Sequence, residues 1–63
     1  MTNSEFTDLL KVAEIVSKKF GRSWLMSNGE EIKVAYTEKE KIFEQNHGFW
    51  VAIIFEKGNI VNA

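Results

Sequence analysis

Phe49-Trp50-Val51-Ala52-Ile53-Ile54-Phe55 is the stretch on which the fold turns. It is apolar throughout, rich in β-branched and aromatic residues, and it stops at Glu56-Lys57-Gly58-Asn59, which has turn chemistry. The run is too short to span a bilayer and too rich in Val, Ile and Phe for an ordinary surface helix. A strand with one wet face would alternate polar and apolar residues, so the unbroken run predicts a strand shielded on both faces. Phe49, Val51, Ile53 and Phe55 then point one way, and Trp50, Ala52 and Ile54 the other.

Past the turn, Ile60-Val61 predicts a short last strand antiparallel to 49–55. On the upstream side, residues 37–48 admit two readings. Thr37 and Glu40 have capping-box spacing and Gly48 suits a helix end, which predicts a short helix over 38–46 anchored by Ile42 and Phe43. Alternatively 41–45 is a strand joined to 49–55 through Asn46-His47-Gly48. The capping signal favours the helix.

Further upstream, Asn28-Gly29 separates two strand-like runs, 22–27 and 30–36. Asn-Gly favours a two-residue type I′ turn, because both central residues need positive φ. That loop would set Ser27 opposite Glu30, Met26 opposite Glu31, Leu25 opposite Ile32, Trp24 opposite Lys33 and Ser23 opposite Val34. Leu25, Ile32, Val34 and Tyr36 share the core face. Arg22, Trp24, Met26, Glu31, Lys33 and Ala35 share the other.

The N-terminal segment reads as a helix over 3–20. Thr2 and Glu5 have capping-box spacing, and Phe6, Leu9, Leu10, Ala13, Val16 and Phe20 repeat with helical period. Glu5 and Asp8 lie early, Lys18 and Lys19 late, as the helix dipole favours, and Glu14 and Lys18 form an i,i+4 pair. Gly21 supplies a left-handed cap. Ile15 falls almost opposite the apolar stripe, with Val12 between: either an ordinary exposed isoleucine or, with Val12, a contact for a partner.

The sum is an α+β fold, a long amphipathic helix packed on an antiparallel sheet of three to five strands. The element order is α-β-β-(α or β)-β-β, in two layers and a single domain, 1–63. Its 63 residues lie near the lower size limit for folding without staples, and the absence of cysteine removes disulfides and thiolate metal sites. No secretion-signal pattern or membrane-length apolar run is present, so the expected location is cytoplasmic with no membrane contact.

Catalytic and metal chemistry find little support. The sole histidine, His47, sits in turn-like sequence without an orienting acid or nucleophile, and Asp8 is the only aspartate. The glutamates alternate with lysines, which makes a self-neutralising surface rather than a ligand set. No cofactor and no metal are expected.

Two binding readings remain. Trp24 and Met26, flanked by Arg22 and Lys33, are residue types enriched at protein interfaces, and Trp50 and Ile15 extend the candidate set. This predicts an inhibitor, regulator or accessory subunit that occupies a partner protein, with self-association also open because one helix cannot cover both sheet faces. A composition rich in Lys, Glu, Ile and Asn suits a small protein of phage or mobile-element type. The competing reading of Trp24 is ordinary core beneath a second layer formed by 38–46. The second binding class is nucleic acid, held by Lys18, Lys19 and Arg22 with Trp24 stacking on a base. The net charge of −1 and the nearby Glu30 and Glu31 weigh against it.

Overall fold

The computed structural model describes residues 3–61. The elements are α1 (Asn3–Phe20), β1 (Arg22–Ser27), β2 (Ile32–Ala35), α2 (Glu38–Asn46), β3 (Val51–Glu56) and β4 (Asn59–Val61). The four strands form one antiparallel sheet in the order β2-β1-β3-β4. This is the predicted α+β fold, with 38–46 as the helix.

α1 has the predicted limits. Ala13 and Val16 are buried, Leu9, Leu10 and Val12 pack beside them, and Ile15 faces away. The predicted cap at Thr2 lies outside the described residues. Glu14 and Lys18 pair at 3.5 Å, and Gly21, at φ +97°, ends the helix while its N–H donates to the Ser17 carbonyl at 2.8 Å. Phe20 leaves the core stripe: it projects past the last turn and meets the Tyr36 ring at 6.4 Å between centroids.

α1 meets the sheet through small residues. Ser23 Oγ donates to the Ala13 carbonyl at 2.6 Å, and both residues are fully buried. Small side chains let the helix backbone approach the strand, and the hydroxyl finds a buried acceptor, as burial of a polar group requires. Leu25, Val34 and Phe55 close over Ala13 to complete this core.

The first hairpin departs from the predicted register. Ser27 pairs with Ile32, Met26 with Lys33, Leu25 with Val34 and Trp24 with Ala35. The loop holds four residues, 28–31, rather than two. Asn28 Oδ1 accepts from the N–H groups of Glu30 (2.9 Å) and Glu31 (2.7 Å), and Gly29 takes φ +96°. The asparagine side chain thereby stands in for a turn of backbone, while the Asn28 N–H donates to the Glu31 carbonyl at 3.2 Å. The slip is two residues, so every paired side chain keeps its predicted face, but Tyr36, predicted for the core face, lies beyond β2 and is exposed. The two-residue turn with positive φ at both positions occurs instead at Lys57 (φ 51°) and Gly58 (φ 88°), between β3 and β4.

α2 begins at Thr37, whose Oγ1 accepts the Glu40 N–H at 3.1 Å. Glu40 answers one residue further out than a capping box, accepting the Tyr36 N–H at 3.3 Å. The helix is not anchored as predicted: Ile42 and Phe43 are exposed, and Phe43 stacks on His47 instead. Its hold on the sheet is polar. Glu44 pairs with Lys33 at 3.2 Å, Lys33 Nζ lies 5.7 Å from the Trp50 ring centre, and Gln45 Nε2 donates to the Trp50 carbonyl at 3.4 Å. α2 thus lies on the sheet face opposite α1.

Candidate functional site

A helix is about 10 Å across, whereas four strands spaced about 4.8 Å apart make a wider floor. α1 lies mainly over β1 and β2 and reaches β3 where Phe55 is buried. Toward the other end of β3 the cover runs out. Val51 is 74% exposed and Ile53 37%, and Ile60, whose β4 position pairs with Phe55, is 53% exposed on the same face. The prediction that the 49–55 run is shielded on both faces is therefore corrected: β3 begins at Val51, Phe49 lies outside it and is 95% exposed, and only one end of the strand is enclosed on the α1 side.

Val51 and Ile53 stand two residues apart on one strand, and Ile60 lies diagonally across on the next, so the three make a continuous apolar strip. One border is α1. Ser17 and Lys18 pack against the β3–β4 turn at the end of the strip. The Glu14–Lys18 ion pair supplies a charged rim. An apolar centre with a polar border is the anatomy of a protein-contact surface.

The residues picked out from sequence are spread over the molecule. Of the two readings of the Trp24–Met26 face, the structure has the enclosed one. Trp24 is 5% and Met26 0% exposed, in a second core with Ala35 that Trp50, Ala52 and Ile54 flank. Trp50 is half-buried, and Lys33 is committed to Glu44 and the Trp50 ring. Arg22 is exposed but its guanidinium pairs with Glu56 at 2.9 Å. Ile15 is exposed on α1, away from the sheet.

Lys18, Lys19 and Arg22 do gather at the α1–β1 junction. Lys18 and Arg22 already have carboxylate partners, and Trp24 offers no free ring face for a base to stack on. Among the described residues there is no enclosed pocket, no group of three His, Asp or Glu placed to hold a metal ion, and no helix long and apolar enough to cross a membrane.

Sequence reasoning left out Phe49, Val51, Ile53 and Ile60 as contact residues because it read the first three as one shielded face of a strand and gave Ile60 no face. The available signal was width: one helix cannot roof a sheet of four strands. No family model, curated protein or solved structure matches the chain.

Proposed function

We propose that this chain is a small non-enzymatic protein-binding module, an inhibitor, regulator or accessory subunit that works by occupying a surface of another protein. The observation that supports the reading is the open strip of Val51, Ile53 and Ile60. Apolar area left in water forgoes roughly 25 cal/mol for each Å² that a partner would cover. In so small a domain that is a sizeable fraction of the total stability. Such a strip beside a charged rim suits a protein surface of matching shape better than a small ligand, which needs a concave site.

The test compares pull-downs from the source cell by the wild-type chain and by Val51→Lys and Ile53→Lys. Both positions are open enough for a lysine to reach water, so thermal unfolding should change little. The reading expects a protein retained by the wild-type chain and lost with both variants while the fold persists. Identical captures from all three chains would overturn it.

A further inference from the structure

We propose that β4 pairs edge to edge with β4 of a second copy, antiparallel and symmetric about Ile60, to give one continuous eight-stranded sheet. β4 is the last strand in the order, and among the described residues nothing pairs with its outer side. The two-residue Lys57-Gly58 turn makes Glu56 and Asn59 the hydrogen-bonded closing pair, so the backbone groups of Asn59 and Val61 face β3. The N–H and C=O of Ile60 then point outward. A two-fold axis at Ile60 satisfies both at once, each copy donating to the other's carbonyl.

The side chains and their setting fit this occupant. Ile60 and Val61 are exposed on opposite faces of the strand, so each side of the edge carries an apolar group. Asn59-Ile60-Val61 contains no lysine, proline or bulge of the kind that blunts open edges, whereas the opposite edge strand, β2, carries Lys33.

Charge sets the orientation. α1 runs antiparallel to β1, which brings Lys18 and Arg22, paired with Glu14 and Glu56, together with Lys19 and Lys57 at the end of the sheet where Gly21 meets the β3–β4 turn, a net excess of positive charge. Asp8 in the first half of α1 and Glu30 and Glu31 in the β1–β2 loop lie toward the other end. β4 runs from the basic end toward the acidic one. Antiparallel pairing about Ile60 sets the two Lys57-Gly58 turns at opposite ends of the contact, whereas parallel pairing would set one Lys57 directly beside the other. The contact shares Ile60 with the docking strip, but it runs through the strand edge, leaves Val51 and Ile53 open in the pair, and testing it needs no other protein.

The experiment measures molecular mass by sedimentation equilibrium from micromolar to about millimolar chain. An edge this short is expected to give a weak dimer, in the micromolar range or above. Ile60→Lys should weaken it at least tenfold while helix content by circular dichroism is unchanged, and Val51→Lys should leave it nearly intact. The chain has no cysteine of its own. Ile60→Cys should therefore oxidise to a disulfide-linked dimer, since paired Cα atoms about 5.5 Å apart match disulfide geometry. Asn28→Cys, in the distant hairpin loop, should not. A monomer at every concentration overturns the proposal. So does a dimer indifferent to Ile60→Lys, or cross-linking no faster at position 60 than at position 28.

Discussion

Ser17 Oγ accepts the backbone N–H of Gly58 at 2.8 Å, joining the last turn of the long helix to the last turn of the sheet across 41 residues of sequence. The same hydroxyl donates to the Glu14 carbonyl at 2.7 Å, and the neighbouring Lys57 N–H donates to the Gly21 carbonyl at 3.1 Å. The β3–β4 turn is thus clipped to the α1–β1 junction by two bonds. Ser17 is fully buried but Gly58 is only half-buried, so removing the hydroxyl leaves the Gly58 amide partial access to water. Ser17→Ala should cost about 1 kcal/mol, the net worth of one such bond. Urea unfolding should show a lower midpoint with unchanged slope, and Thr7→Ala, whose bond is exposed, should lie within about 0.5 kcal/mol of wild type.

Gly58 makes a second, separable contribution. It holds φ +88°, and a Cβ there would come within 2.5 Å of Lys18 Cε. The lysine stem is flexible and can move aside, but the backbone angle cannot relax without opening the turn. Gly58→Ala should destabilise by about 1–2 kcal/mol, the cost of a left-handed conformation for an L-residue. Adding Lys18→Ala should recover only a minor part of that loss. Full recovery in the double variant would show the clash, not the dihedral, to be the source.

The two tryptophans should behave differently when truncated. Trp24 is enclosed between the sheet and its second-face neighbours, so Trp24→Ala removes a buried aromatic and should cost about 3–5 kcal/mol. That approaches the whole stability of a domain this small, and the variant should be largely unfolded at 25 °C by far-ultraviolet circular dichroism. Trp50 is half-buried, so Trp50→Ala should leave a folded chain with a lowered melting temperature. Equal losses would place both residues in one core.

These contrasts show where the sequence was legible. Periodicity with local capping chemistry located α1, β1 and α2 residue for residue, because each is decided within one or two turns of chain. Face assignment of the paired residues in the first hairpin also held, since alternation survives an even slip of register. What failed depends on distant parts of the chain. Whether Trp24 is surface or core turns on α2 being held over it by Lys33, Glu44 and Trp50, none adjacent in sequence. Whether Val51 is wet depends on how far one helix reaches across four strands. Hydrophobicity alone marks Met26 and Val51 as equals, yet one is sealed and the other open.

The β1–β2 loop offers the sharpest check on that distinction between local and distant control. Asn-Gly suits a two-residue turn, yet the chain spends four residues there and pairs Ser27 with Ile32. Deleting Glu30 and Glu31 would leave Asn28-Gly29 as the whole loop between Ser27 and Ile32. A two-residue turn needs flanking residues that exchange hydrogen bonds, whereas the ladder turns the Ser27 backbone toward Val51 of β3 and bonds β2 through Met26–Lys33 and the Asn28 N–H to the Glu31 carbonyl. The shortened chain should therefore lose about 1–3 kcal/mol, and Asn28→Ala in the full loop about 1–2 kcal/mol with its two amide bonds. Amide exchange of β1 and β2 would report both. A deletion variant as stable and as protected as wild type would mean that the packing of Leu25 on Val34, and not the hydrogen-bond phase of the loop, holds the register.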